Sequence, residues 1–311
     1  MTANEGIAAL IAARCPGWVV ESIVPLGAGD SCDAYLVNGE WVVRVAKHAE
    51  AAAGLRREAC LLPRIETRFD LRIPIPRLIG DDESPTLVAH PLLPGPALTT
   101  GRYARLPRPA RDRCAQQVAD FLRQMHATDL TLVRQCGVPD TDHRARFGGL
   151  LTRARQQPTG VLAAPLRAFA ESAITRYLNS AASADYAPVA LHGDLSNDHI
   201  LYDESTGRVT GIIDFGDLAV GDPAWDFVYL FEEHGVDFVN RCVRAYVTSG
   251  RPALLERMYR LFVLDTIEWA LECAEEQSDE FDDALARLRQ RQLAGDRPLH
   301  ELVALCDVVE R

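Results

Sequence analysis

Between Leu191 and Asp217 the chain reads LHGDLSNDHILYDESTGRVTGIIDFGD, with two acid-bearing turns, H-G-D and D-F-G, on either side of a short strand-turn-strand. An aspartate that follows a strand is ordinarily a turn residue or a helix cap. Either turn alone therefore carries little weight. Their pairing around one hairpin is what narrows the folds and chemistries open to the chain.

At 311 residues there is room for one large domain or for two lobes, each with its own core. Hydrophobic residues make up 48% and charged residues 25%, with no repeat or low-complexity tract, so the chain is expected to fold throughout. The net charge is −11, and acids crowd the C-terminal third, among them Glu232, Glu233, Glu268, Glu272, Asp282 and Asp283. Such a field repels phosphate backbones, which excludes nucleic acid as a partner, and would concentrate a polycation; the plain alternative is a solvated helical surface. The chain shows no cationic leader before an apolar run and no stretch of roughly 18 apolar residues, so no membrane partner and a cytoplasmic location are expected. Eight cysteines (Cys15, Cys32, Cys60, Cys114, Cys136, Cys242, Cys273 and Cys306) stand singly without a C-x-x-C pair, and are expected to be reduced packing residues.

The first third reads as a helix over 3–15 and strands at Trp18 to Val24, Ala34 to Val37 and Trp41 to Ala46, with Asn38-Gly39 as a two-residue hairpin turn. A helix containing Glu58 and closed near Pro63 follows, then two more strands in IPIPRLIG and TLVAH. Pro91, Pro94, Gly95 and Pro96 mark a linker, which places a lobe boundary between residues 93 and 94. Downstream, helices are expected over 109–127, 142–156, 161–180, 223–249 and, in several pieces, 252–308. Asp222-Pro223 is a helix-start signal.

Phosphoryl transfer rests on alignment and charge stabilisation more than on covalent help. It needs a carboxylate to position the attacking hydroxyl, ligands for Mg²⁺, and a cation on the phosphates. The hairpin region supplies the first two. Asp194 follows an apolar strand at the sharp Gly193 turn, as a base would, and Asp214 ends the strand Val209 to Ile213 ahead of Phe215-Gly216, as a metal ligand would.

At these residues the sequence resembles the protein-kinase-like antibiotic kinases, most of all the aminoglycoside phosphotransferases of the 2″ group. HGDLSNDHIL, GIIDFGD, DPAWDF, the VRVAKH strand end and the GAGDSCDAY loop carry the resemblance, which follows the order of elements along nearly the whole chain and is specific from about Leu191 to Phe238. It implies an α+β, two-lobe, protein-kinase-like fold. Residues 1–93 would form a small antiparallel β-rich nucleotide lobe, and residues 94–311 a larger, mostly helical lobe with the catalytic loop, metal site and substrate cleft. It also implies Asp194 as base, Asp214 as a ligand of both Mg²⁺ ions, His192 as a prop of the catalytic loop, and ATP or GTP as phosphate donor.

Against the wider kinase pattern, the position five residues after the base carries His199 where asparagine is usual, as in the 2″ group. Imidazole is softer than Mg²⁺ prefers, so His199 is read as a metal ligand against the alternative of a packed histidine, with Asn197 as the spare oxygen donor. For the phosphate cation Arg44 and Lys47 compete, three apart on one strand and so facing opposite ways. Separation from Glu58 and alignment on the 2″ group prefer Arg44, although arginine offers a planar fork where the family carries a point charge. In the GAGDSC loop Gly27, Gly29 and Ser31 are candidate phosphate contacts, with Cys32 standing where a third glycine would be. The carbonyl of Pro91 and the N–H of Leu93 are candidates for the nucleotide base.

By the same resemblance, the helix after DPAWDF and the one bearing TIEWALECAEE flank the cleft, so Glu232, Glu233, Glu268, Glu272 and Trp269 are candidates for binding a small cationic antibiotic. Trp269 reads equally as core. Asp222 and Asp226 read as a cap and a loop brace, and His126 as packing behind the catalytic loop. The expected activity is an aminoglycoside O-phosphotransferase. A macrolide kinase and a nucleotide-binding pseudokinase are the rivals.

Overall fold

The computed structural model describes residues 3–80, 85–157, 161–247 and 249–307. After α1 (Ala3–Arg14), the strands β1 (Ile23–Ala28), β2 (Cys32–Val37) and β3 (Trp41–Ala46) run antiparallel. Asn38 and Gly39 join the last two at φ 54° and 70°, the left-handed turn whose twist matches the flanking strands. β4 (Arg77–Leu78) and β5 (Leu87–Pro91) complete a five-stranded sheet of order β1-β2-β3-β5-β4. The strand expected from Trp18 begins only at Ile23. Trp18 instead meets the Trp41 ring edge-on at 5.6 Å, covering the start of β3 rather than pairing in the ladder. Of IPIPRLIG only Arg77 and Leu78 pair, since proline has no N–H to give a ladder.

Helix α2 (Ala49–Ile65) is capped by His48, whose Nδ1 accepts the Ala51 N–H. Its first half packs Ala51 and Leu55 with Ala46 and Val88 of the sheet, and its last turns put Leu61, Leu62 and Ile65 into the large helical core. Glu58 is therefore carried on a helix anchored at both ends in different cores.

The helical part comprises α3 (Thr100–Arg105), α4 (Arg108–His126), α5 (Leu130–Gln135), α6 (His143–Gln156), α7 (Ala164–Asn179), α8 (Val228–Tyr246), α9 (Arg251–Glu276), α10 (Phe281–Ala294) and α11 (Arg297–Asp307). Between α7 and α8 lie β6 (Val189–Leu191), β7 (Ile200–Asp203), β8 (Arg208–Ile212) and β9 (Ala219–Gly221), with β6 paired to β9 and β7 to β8. The short helices α3 and α5 had no periodic signal. The helix expected over 223–249 opens instead as a 3₁₀ turn, Trp225–Phe227, and α8 is kinked at Gly235, where φ is 72°. Positions 248 and 308 of the expected helices lie outside the described residues.

The cysteine expectation fails at one pair. Cys60 on α2 and Cys136 after α5 form a disulfide with Cα atoms 5.5 Å apart across 76 residues of sequence, a proximity that no local spacing encodes. Cys114, Cys242 and Cys273 are buried free thiols, as expected; Cys15 and Cys32 are free and half-buried. The Cys306 side chain lies outside the described residues. Among the described residues no helix is long and apolar enough to cross a membrane.

Candidate active site

The two acid-bearing turns meet below the sheet in a cleft of about 1160 Å³. Gly193 holds φ 92°, and a Cβ there would collide with the Asp217 backbone carbonyl, so the H-G-D and D-F-G turns are packed backbone to backbone. Asp214 itself sits at φ 62°. This left-handed backbone is costly for a non-glycine residue and persists only where surrounding structure imposes it.

Behind the loop, Asp226 is the brace. Its carboxylate accepts the N–H groups of His192 (3.0 Å) and Gly193 (2.9 Å) and Nε2–H of His126 (2.9 Å), while Trp225 Nε1–H donates to the Gly193 carbonyl at 2.8 Å. His192 is fully buried. Its Nε2–H donates to the Ile213 carbonyl at 3.1 Å, its Nδ1 accepts the Asp194 N–H at 3.3 Å, and burial lowers its pKa to about 4. It therefore links the two turns as a neutral ring. Asp222 accepts the Ala224 N–H and pairs with Arg257 Nε at 3.0 Å, which makes it a turn cap with a counter-ion.

Arg44 settles on the Glu58 side. Its Nη1 donates to both Glu58 oxygens, at 2.8 and 3.0 Å, and its Nη2 reaches Asp214 Oδ1 at 3.2 Å. Burial pushes the Glu58 carboxyl up, and the Arg44 guanidinium opposes that rise. Lys47 points the other way, as strand alternation requires. Its ammonium donates to the Gly29 carbonyl at 2.6 Å and pairs with Asp33 at 3.1 Å, so it ties down the glycine loop. Gly27, Gly29 and Ser31 all line the cleft, whereas Pro91 and Leu93 line a separate groove beside Trp41 and Ile73 that shares no lining residue with it. The Pro91 carbonyl accepts from His90 Nδ1 at 2.9 Å.

His199 stands between the two catalytic-type aspartates. Nδ1–H donates to the Asp194 carbonyl at 2.7 Å, and Nε2 faces Asp214 Oδ2 at 3.6 Å. The backbone bond sets the tautomer and leaves Nε2 bare, a common arrangement for a ligating histidine. Among the described residues no three His, Cys, Asp or Glu side chains converge on one point. A hard cation held by Asp214 and His199 would complete its shell with phosphate oxygens and water, as Mg²⁺ commonly does. Asn197 turns away, donating to Thr100 at 3.1 Å. Burial pushes the Asp194 carboxyl up to about 6, with His199 pulling it down and Asp217 and Asp214 adding to the rise. Burial would lift Asp214 too, but Arg44, His199 and His192 outweigh it and hold that carboxyl below its usual range.

The expected acidic lining is rearranged. Glu268 is buried and takes Arg146 at 2.6 Å, Glu232 takes Arg287 at 2.6 Å and Arg291 at 3.4 Å, and Glu272 lies 3.7 Å from Arg153. Glu233 is half-buried with its carbonyl accepting from Thr100, and Trp269 is half-buried under the Arg287 guanidinium at 5.2 Å. None of these five lines the cleft; Asp198, Asp217, Arg146, His143, Trp225 and Tyr229 do. Carboxylates buried beside α6 and α10 would be costly unpaired, so arginines on those helices claim them. Arg146 and Tyr229 carried no sequence signal, because α6 is rich in arginine throughout and Tyr229 reads as helix core.

The profile of the phosphotransferase enzyme family known as APH matches residues 22–262. The solved structure of the GDP and kanamycin complex of APH(2″)-IIIa is 28% identical, with a TM-score of 0.88 over 93% of this chain and 99% of that one. Macrolide 2′-phosphotransferase type I shares the fold at 22% identity and a TM-score of 0.73, over 93% of this chain and 97% of its own. An uncharacterised protein of Bacillus subtilis (strain 168), YcbJ, is 26% identical over 220 residues, 68% of each chain. With its kinase-like two-lobe architecture and the matched span covering most of its length, the chain belongs to the APH phosphotransferase enzyme family.

Proposed function

We propose that the protein transfers the γ-phosphoryl group of ATP or GTP directly to a hydroxyl of an aminoglycoside antibiotic. The observation that carries this reading is a convergence of groups: Arg44 bridges Glu58 and Asp214, His199 Nδ1–H holds the Asp194 carbonyl, and the bare His199 Nε2 faces Asp214 Oδ2 across 3.6 Å, where a cation would join them. They lead from the nucleotide lobe, residues 1–93, to the base in the helical lobe, residues 94–311, with the Pro91 to Pro96 segment as hinge. The similarity to a kanamycin-bound 2″ enzyme supports the acceptor class.

In this reading Asp194 takes the proton of the attacking hydroxyl. A carboxyl at about 6 is ionised at neutral pH yet basic enough to help. Arg44, held rigid by Glu58, faces the phosphates, and the loop of Gly27, Gly29 and Ser31, closed by the Gly29 N–H on the Cys32 carbonyl at 3.0 Å, covers them. Asp214 and His199 hold Mg²⁺, which when bound would neutralise charge on the transferring phosphates. Pro91 and Leu93 are the candidates for offering backbone groups to the base, at the strand end that leads into the hinge.

One observation favours a second reading. With Glu232, Glu268 and Glu272 matched to arginines, the acceptor side carries less free negative charge than a polycation would use, which suits a macrolide better. Nucleotide consumption against aminoglycosides and macrolides, for the wild type and Asp194→Asn, separates these. Aminoglycoside turnover that falls by about 10²- to 10⁴-fold in the variant, at little change in nucleotide KM, is expected. Near-normal turnover by Asp194→Asn refutes the base, and dominant macrolide turnover refutes the acceptor.

A further inference from the structure

Among the described residues three arginines line the cleft, Arg44, Arg57 and Arg146. Arg44 is committed to Glu58 and Asp214, and Arg57 pairs with Glu50 on α2. Arg146 is different. It projects from the first turn of α6 into the part of the cleft walled by Trp225 and Tyr229, on the Asp194 side.

Its pose is set from three sides. Nε and Nη2 both donate to Glu268 Oε2, at 2.7 and 2.6 Å. The guanidinium lies 4.9 Å from the Trp225 ring centroid and 5.5 Å from that of Phe147. Trp225 is in turn fixed to the catalytic loop through the Gly193 carbonyl at 2.8 Å. Glu268 is 9% exposed at its side chain, whereas Arg146 keeps 36% open. A guanidinium so pinned still has N–H donors to offer, and it has no lone pair with which to accept. An ammonium group set against it meets a like charge and another donor, whereas a hydroxyl or ether oxygen accepts from it.

A second observation comes from the same wall. His143 is 1% exposed with neither ring nitrogen partnered, and its ring lies 4.9 Å from that of Trp225. Burial first, and Arg146 next, lower its pKa to about 4. Among the described residues the anions that act on Arg146 are Glu268, which it already pairs, and Asp265 behind Tyr229, whose carboxyl burial pushes up to about 7, toward its neutral form, against the pull of Arg146.

We propose that Arg146 is a specificity-determining residue, selecting acceptors that present an oxygen rather than an ammonium group to the Trp225 wall beside Asp194. The assignment rests on the aminoglycoside reading and deepens it. The ammonium groups of a bound acceptor would turn toward Asp198 and Asp217, which line the cleft elsewhere.

The test uses pairs of aminoglycosides that differ by one hydroxyl-for-amino exchange at a single ring position, with kcat/KM measured for both members of each pair. The wild type is expected to prefer the hydroxyl member of at least one pair by about tenfold. That preference should fall to about twofold in Arg146→Gln and persist in Arg146→Lys, with the nucleotide KM unchanged in both. Because Arg146→Gln leaves Glu268 buried without its partner, the double variant Arg146→Gln/Glu268→Gln is run beside it and checked by thermal melting. It should lose the preference equally. A preference that survives removal of Arg146, or no hydroxyl preference in any pair, overturns the assignment alone. Absence of turnover with every aminoglycoside overturns the acceptor reading and this assignment together.

Discussion

Asparagine at position 226 changes one atom of the brace behind the catalytic loop, and its cost can be worked from the contacts. The buried carboxylate accepts three donors, with His192 N–H and His126 Nε2–H on Oδ2 and Gly193 N–H on Oδ1. An asparagine loses least by keeping its oxygen toward the first two, which turns its own N–H₂ onto the Gly193 N–H. One hydrogen bond to a charged group is lost, about 1.5–3 kcal/mol, and a buried donor is left unmet, about 1–3 kcal/mol. The sum is about 2.5–6 kcal/mol. Unfolding entropy of about 2.1 cal/mol/K per residue gives about 0.65 kcal/mol/K for a chain of this length, so Tm should fall by about 4–9 °C. Turnover should fall as well, because Gly193 precedes Asp194, while nucleotide KM should hold.

A pH series sharpens the test. Burial alone would raise the Asp226 carboxyl, but the His126 hydrogen bond and charge, with the His192 and Gly193 contacts, hold it below its usual range. A carboxyl depressed on folding contributes stability that is complete above its unfolded value of about 3.9 and is lost as pH falls through the folded value. The Tm gap between wild type and Asp226→Asn should therefore close as pH drops below about 4. Calorimetry from pH 3 to 7 with parallel steady-state kinetics reads both effects. A variant within 1 °C of wild type at pH 7 with unaltered kcat refutes the brace.

Three further outcomes are expected. Arg44→Ala should raise the nucleotide KM by about tenfold or more, at about 1.4 kcal/mol per decade, and Lys47→Ala much less; equal small effects would refute the Arg44 assignment. His199→Asn should stay active and Mg²⁺-dependent, since an amide oxygen suits that cation, and a folded but inactive protein counts against a ligand role. Cys60→Ser should cost up to about 4.5 kcal/mol by closure of a loop of 76 residues, seen as a Tm fall of about 7 °C. Free alkylation of both native thiols in the unreduced protein would refute the cross-link.

Much of the site was legible because its chemistry is written over short spacings. Asp194 and Asp214 lie in turns whose glycines and apolar flanks specify their own backbone, and the Asn38-Gly39 turn sets its hairpin register without outside help. Glu58 was singled out by the resemblance to kinases, in which a strand cation pairs with an acid on the following helix. The failures share a different cause. Glu232, Glu233, Glu268, Glu272 and Trp269 were placed in the cleft by resemblance in the order of helices, yet none of them lines it once α8 and α9 pack against α6 and α10. Cys60 and Cys136 look like isolated packing residues until α2 and the end of α5 are brought together.

The sequence by itself determined which groups are the candidates for the chemistry, since a base, a metal carboxylate and a phosphate loop each need particular residue types within a few positions of one another. The tertiary structure decided how charge is shared around them. The acids on α8 and α9 read as an open anionic lining, yet Glu268 is claimed by an arginine 122 positions away and Glu232 by two on α10. Ion pairs form by distance in space and by the cost of burying a charge alone, and neither is a property of neighbouring letters in a chain.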